Sequence, residues 1–328
     1  MNKLKKIGVS ALAGSLVAIS ANAADWNVSG SAGFAVNSLN DDLATSWYQY
    51  DSVIISASGQ TEGGINVSAK FELDGAGNAS TTSSYDDRMM SFGTDELGTI
   101  EYWGHGGSSV MGAFDDVTPK ANEEVWDIGS VDGTTAAVEA ADARINGGAG
   151  NHLINYISPS IAGATLMASY STGTAQDHYT DWGVKFSPEM VEGLTLYYAA
   201  GTTTSTTVDT DETTMAVTYS YGPITVGYSE SESDQGSSAD DDESESWAIA
   251  YAITDDLTVS YGERDYDHDT SSATGDDNLT QKDSGFGISY TMGGVSFYGS
   301  MNEHDNVLGK TATTNDIESY DFGVSFAF

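Results

Sequence analysis

The chain has 328 residues, of which 11 are Lys or Arg and 49 are Asp or Glu, so its formal net charge is −38, and it contains no Cys. Disulfides are therefore excluded. A nucleic-acid partner is excluded as well, because binding it requires basic residues that neutralise phosphates. Such strong acidity favours cations, including divalent metals, as the ions that accompany the molecule.

Residues 1–23 predict a cleaved signal peptide. Lys3, Lys5 and Lys6 precede an apolar run, and Ala21-Asn22-Ala23 forms an A-x-A cleavage site. A membrane anchor is the alternative, but the apolar run is shorter than the roughly 20 residues that a spanning helix needs. We therefore expect an exported chain that begins at Ala24. No later stretch is apolar enough for a spanning helix, so any membrane crossing must use β-strands.

From Ala24 onward, apolar and polar residues alternate in segments of about ten residues, the length of a tilted transmembrane strand. In the last segment, Tyr320, Phe322, Val324, Phe326 and Phe328 alternate with small or polar residues, which predicts one lipid-facing and one lumen-facing side. We predict one all-β domain over 24–328, an antiparallel barrel of sixteen transmembrane strands. The predicted strands are 25–38, 46–60, 64–75, 85–94, 98–104, 151–158, 163–174, 179–187, 193–203, 212–222, 223–232, 244–253, 257–266, 283–292, 294–303 and 318–328.

The connections between these segments alternate between short turns, such as Thr254–Asp256, and longer loops, such as Asp267–Lys282. Turns at one rim and loops at the other are typical of an outer-membrane barrel. All four prolines fall in turns or loops, as a continuous strand ladder requires. A soluble β-sandwich would also show short alternating strands, but the apolar face on so many strands and the signal peptide favour the barrel.

One connection, about 105–150, is much longer than the others, and loops of this length are usually functional. It is flanked by Arg88–Trp103, which contains Phe92-Gly93-Thr94 and Leu97-Gly98-Thr99-Ile100, and by Asn151–Tyr156, followed by Ser158-Pro159 and Gly163. With the terminal Phe328, these motifs resemble the Gram-negative general porins, particularly their alphaproteobacterial type. The resemblance implies an outer-membrane homotrimer whose third external loop folds into the barrel. It also implies that the Phe328 strand is recognised by the barrel-assembly machinery.

Parity predicts which charges face the lumen. Lys70 and Lys185 alternate with apolar neighbours, and Arg264 has the parity opposite to Leu257, Val259 and Tyr261. Each is therefore expected inside, where a charge avoids the cost of about 2–4 kcal/mol at a lipid-facing midplane position. Arg88 is ambiguous because it shares the parity of Met90 and Phe92. The resemblance implies that Arg88 and Arg144 form the basic side of a constriction. The candidates for its acidic side are the loop residues Asp115, Asp116, Glu123, Glu124 and Asp127.

Two other sequence patterns give only weak evidence of a functional site. His105-Gly-Gly-Ser-Ser109 has a His and a Ser but no nucleophile elbow, so we do not expect an enzyme. Asp265, Asp267 and Asp269 do not fit an EF-hand, because Thr270 stands where that loop needs Gly. A loosely bound Ca²⁺ or Mg²⁺ remains an alternative to solvated loop acids, and we expect no other cofactor.

The sequence thus predicts a water-filled channel for small hydrophilic solutes that prefers cations, since acidic rings select cations. The alternatives are a substrate-specific channel and a structural or adhesive surface barrel.

Overall fold

The computed structural model describes residues 24–39, 44–74, 85–127, 145–148, 150–172, 177–236, 240–270, 279–309 and 316–328. The predicted signal peptide 1–23, Arg144 and the side chain of Asp269 lie outside the described residues. Within the described part of the chain, no helix has the length and apolar character to cross a membrane.

Sixteen strands form one closed barrel, as the alternation predicts. Each strand pairs antiparallel with its neighbours in sequence, and β1 also pairs with β16, with Phe34 opposite Val324. The strands are β1 Asp25–Leu39, β2 Ala44–Gln60, β3 Asn66–Asp74, β4 Arg88–Thr94, β5 Gly98–His105, β6 Leu153–Ile157, β7 Ala164–Thr172, β8 His178–Phe186, β9 Leu194–Thr204, β10 Thr210–Tyr221, β11 Ile224–Asp234, β12 Asp240–Ala252, β13 Leu257–Thr270, β14 Thr280–Met292, β15 Val295–Asp305 and β16 Ile317–Ala327.

The barrel is inverted relative to a soluble protein, with polar residues buried and large apolar residues exposed. On β8, Trp182 is 53 % exposed, whereas its neighbour Asp181 is 5 % exposed. On β14, Phe286 is 65 % exposed and Asp283 is 1 % exposed. Because successive side chains of a strand point to opposite faces, this pattern gives an apolar outer face and a polar inner face.

Several strands extend further at the loop rim than the hydrophobic pattern predicts. The ladder begins at Asp240 in β12 and runs to Thr270 in β13, whereas the alternation indicates only 244–253 and 257–266. Above the apolar band, Asp, Glu and Ser occupy both faces, so hydrophobic alternation ends while the backbone pairing continues. The alternation of connection lengths also has exceptions, since the connections 40–43, 173–177, 205–209 and 235–239 are no longer than the turn 187–193.

The barrel closes through the two end strands. The Gly30 and Phe328 backbones exchange two N–H···O hydrogen bonds of 2.9 Å, which extend the ladder between β1 and β16 to the last residue. At the same rim, Gly293 has φ +65°, a left-handed conformation that lets a two-residue turn join β14 to β15.

Candidate constriction site

The connection after β5 lies against the polar inner face of the barrel. The Met111 N–H donates a 2.9 Å hydrogen bond to Asp181 Oδ2, and the Val110 N–H donates a 3.0 Å bond to Ser169 Oγ. Around these bonds, Val110, Met111, Phe114, Ile145 and Tyr179 form a buried apolar cluster. Apolar packing inside an otherwise polar lumen fixes the start of the connection to β7 and β8.

The same connection then contacts strands farther around the barrel. Pro119 lies close to Gly227 on β11, and the Ala121 N–H donates a 2.9 Å bond to Ser260 Oγ on β13. Asn302 on β15 donates a 2.9 Å bond to the Asp127 carbonyl. Residues 107–127 therefore follow the inner wall from β7 to β15, and their side chains lie inside the barrel.

The five predicted loop acids occupy different environments. Glu124 is buried and pairs with Lys120, which also lies 3.4 Å from Asp116. Burial raises the pKa of Glu124 to about 7, although the Lys120 ammonium lowers it in part. Glu123 is exposed, and Asp115, Asp116 and Asp127 are half-buried. Glu124 is thus the buried partner of an ion pair with the more exposed Lys120, whereas the other four acidic residues are at least partly exposed.

Arg264 lies inside the barrel as parity predicts, but it is buried rather than exposed to the pore. Its Nε donates a 2.7 Å bond to Asp283 Oδ2, and His304 Nδ1 lies 2.8 Å from Asp283 Oδ1. The Trp126 ring lies 5.1 Å from the guanidinium, and Tyr266 packs at the same distance. The Arg264 charge is therefore neutralised and covered by the loop.

Lys70 and Arg88 lie on opposite faces. The Lys70 ammonium lies 2.7 Å from Asp87 and 3.0 Å from Glu72, next to the Trp103 ring. Met89, not Arg88, pairs with Lys70, and Arg88 pairs with the outward Phe71. Arg88 is exposed at the loop end of β4. The resemblance implies that Arg88 lines the constriction, but the strand register contradicts this. Arg88 lies on the outer face, together with Met90 and Phe92.

Lys185 differs from the other inward basic residues. It shares the inner face of β8 with Asp181, is exposed, and its ammonium lies 5.7 Å from the Tyr197 ring. Within the described residues it forms no ion pair. Lys185 is thus the inward cation with the least compensated charge in this part of the chain.

The acidic run near the loop rim gives no metal site in the described residues. Asp265 pairs with Lys282 at 2.8 Å, and both side chains are exposed. Nowhere among the described side chains do three His, Asp or Glu converge as metal ligands. Ca²⁺ binding near Asp265, Asp267 and Asp269 stays a prediction.

Sequence reasoning missed the residues that hold the connection in place. Asp181, Asp283 and His304 are buried on the inner face. Asp181 accepts a bond from the loop, Asp283 accepts one from Arg264, and His304 is hydrogen-bonded to Asp283. Parity would have assigned all three to the inside, because each lies on the face opposite to the exposed apolar residues of its strand, such as Trp182, Phe286 and Met301. It could not have paired Asp283 with Arg264 without the strand register.

A closed barrel with an apolar outside, a polar inside and a long connection along its inner wall defines an outer-membrane channel protein. The chain belongs to the Gram-negative porin family, which matches residues 8–307. The protein is accordingly located in the outer membrane of a Gram-negative bacterium.

Solved structures share this fold. A loop L8 deletion mutant of Vibrio cholerae OmpT superposes with a TM-score of 0.69 at 12 % identity, covering 93 % of this chain and 99 % of that one. The trimer form of in-vitro folded Vibrio cholerae OmpT gives 0.67 at 11 % identity and covers 93 % and 99 %. An anion-selective porin from Comamonas acidovorans gives 0.66 at 14 % identity and covers 93 % and 100 %. No curated protein sequence matches the chain significantly.

Proposed function

We propose that this porin is a passive diffusion channel for small hydrophilic solutes and ions, and that it prefers cations. The observation that carries the preference is the pairing of inward basic residues. Lys70, Lys120 and Arg264 each lie within ion-pair distance of a carboxylate, and Lys70 and Lys120 each contact two. The basic charge of the inner wall is thus largely neutralised, while acidic side chains of the loop remain accessible.

Residues 107–127 supply the narrow part of the pore in this proposal. They lie inside the barrel and carry Asp115, Asp116, Glu123 and Asp127. Carboxylates at a narrow, water-filled opening lower the energy of a cation and raise that of an anion. Lys185 on the inner wall adds a positive charge near Tyr197, whose ring packs against Phe114 of the loop, so polar solutes would be oriented as they pass.

The assembly proposal follows the family. We propose a homotrimer, supported by the trimer form of the structurally similar Vibrio cholerae protein. Cleavage after residue 23 and recognition of the Phe328 strand by the barrel-assembly machinery complete the proposal. The structurally similar Comamonas acidovorans porin is anion-selective, so the fold alone does not decide the sign of selectivity.

The test is the reversal potential of the refolded mature protein in a planar bilayer under a KCl gradient. We expect cation preference that decreases in the triple variant Asp116→Asn, Glu123→Gln, Asp127→Asn. A matched control removes three carboxylates from the turns with Glu62→Gln, Glu189→Gln and Asp255→Asn and should leave the reversal potential nearly unchanged. Anion preference in the unmodified protein would refute the selectivity, and a membrane-inserted barrel without conductance would refute the channel.

A further inference from the structure

Three tyrosines line one part of the inner wall where the intervening strands carry only small residues. Across β2, β1, β16 and β15, the register places side chains of the inner face in rows. In two successive rows, a tyrosine of β2 or β15 flanks small residues of β1 and β16. The first row is Tyr48, Ala35, Gly323 and Tyr298, and the second is Tyr50, Gly33, Ser325 and Ser296.

The rings of Tyr50 and Tyr298 occupy the space that two glycines leave on β1 and β16. A Cβ built on Gly33 would lie 2.1 Å from Tyr50 Cζ, and a Cβ on Gly323 would lie 2.2 Å from Tyr298 Cζ. Each ring therefore covers a glycine and remains partly exposed. The two hydroxyl oxygens are 2.8 Å apart and hydrogen-bonded, which fixes the rings relative to each other. The Tyr48 ring centroid is 6.0 Å from that of Tyr50.

Carboxylates border this tyrosine surface (Tyr48, Tyr50 and Tyr298). Asp321 lies on the same inner face, one row closer to the loop rim, and its Oδ2 is 3.5 Å from Asn122 Nδ2 of the loop. The Asn302 bond to the Asp127 carbonyl places a second acid nearby. Both Asp321 and Asp127 lie within electrostatic range of the Tyr48 hydroxyl. The surface thus combines partly exposed aromatic rings with negative charge.

We propose that the tyrosine surface is a binding subsite for small organic ammonium solutes, which it holds transiently as they cross the pore. The inference rests on the proposed channel and adds a solute class to it. A quaternary ammonium contacts aromatic faces through its methyl groups and is attracted by the ring quadrupole. Asp321 and Asp127 add charge complementarity, which a neutral sugar would not use. The glycines keep the rings against the wall, so a solute that lies on them narrows the pore and reduces the current without filling the opening.

The experiment measures the block of K⁺ current by choline in planar bilayers containing the mature protein. We expect a concentration-dependent reduction of single-channel current. Removing a ring with Tyr50→Leu or Tyr298→Leu should weaken the apparent affinity for choline about five-fold, the worth of one exposed cation–π contact. Tyr50→Phe and Tyr298→Phe keep the rings and should retain most of the affinity. Tyr197→Leu, which removes a ring beside Lys185, should leave the block unchanged.

Each outcome decides the proposal. Equal choline block in the Leu variants and the unmodified protein would overturn it, as would block by glucose at lower concentration than by choline. If the Leu variants fail to form channels, Tyr48→Leu and Asp321→Asn provide the same comparison. Neither the Tyr48 ring nor the Asp321 carboxylate covers a glycine, so these two changes should disturb the barrel wall less. Normal conductance without block refutes the subsite alone, whereas the absence of conductance refutes the channel itself.

Discussion

The buried ion pair between Arg264 and Asp283 should be far more important for stability than the neighbouring pair between Asp265 and Lys282. The two pairs occupy adjacent register positions of β13 and β14 but point to opposite faces of the barrel. Asp283 accepts bonds from Arg264 Nε at 2.7 Å and from Gln281 Nε2 at 3.1 and 3.2 Å, and it also contacts His304. Arg264 and Asp283 are at most 2 % exposed, whereas Lys282 and Asp265 are more than half exposed.

This difference gives a measurable expectation. Asp283→Ala leaves the Arg264 guanidinium buried without its partner, and such losses cost about 3–5 kcal/mol of unfolding free energy. Lys282→Met breaks the exposed pair, and such pairs are worth about 0.2–1 kcal/mol. The double variant Arg264→Met, Asp283→Leu removes both buried charges and should cost much less than Asp283→Ala alone, since buried pairs can often be replaced by apolar residues without loss.

The assay is equilibrium unfolding in guanidinium chloride of protein refolded into lipid vesicles, followed by tryptophan fluorescence. Trp126 packs on Arg264, so its emission also reports local release of the loop in Asp283→Ala. The reasoning would be refuted if Asp283→Ala destabilised the barrel no more than Lys282→Met, or if the double variant lost as much as the single one.

Two further predictions concern the loop. Burial raises the pKa of Glu124 to about 7 from an ordinary value of 4.5, so the folded state binds this proton more tightly than the unfolded state. The stability of the loop should therefore decrease as the pH rises from about 4.5 to 7 and stay constant above that. Hydrogen exchange of residues 121–127 would measure this, and Glu124→Gln should abolish the dependence. A dependence that persists in that variant would assign it to another group. Asp181→Ala removes the acceptor of the Met111 N–H bond and should destabilise the packing of the loop against β8 by about 1–3 kcal/mol. The measurement is the noise of the single-channel current, which should increase in Asp181→Ala. Asp181→Asn should retain the bond and leave the noise unchanged.

The fold could be predicted from the sequence because each strand repeats one physical requirement. Large apolar side chains must face lipid and polar side chains must face the lumen, so period-two alternation indicates all sixteen strands. The alternation does not predict the strand ends at the loop rim, because both faces are polar there. Arg264 and Lys70 were placed inside by the same rule. Their partners could not be predicted, since Asp283 is opposite Arg264 only through the strand register, and Asp87 reaches Lys70 from outside its strand.

For Arg88, the expectation from the family resemblance and the expectation from strand parity differ. A family pattern places a basic residue near the constriction, but the pleat places Arg88 beside Phe71 on the outer face at the loop end, where the charge can remain hydrated. An exposed position at the end of a strand avoids the cost that a lipid-facing charge has at the midplane. Parity decides the face of a residue more directly than similarity does, provided that its position along the strand is also considered.

Facing the lumen is not the same as contributing charge to it. Arg264 lies inside the barrel, yet Asp283 neutralises it and Trp126 covers it, and Lys120 is similarly paired with Glu124. A count of inward basic residues would therefore overestimate the positive potential that a solute meets. Only side chains that are both inward and accessible act on the solute, and these include Asp116, Glu123 and Asp127 against Lys185. This imbalance, rather than the net charge of the chain, is the physical basis for the expected cation preference.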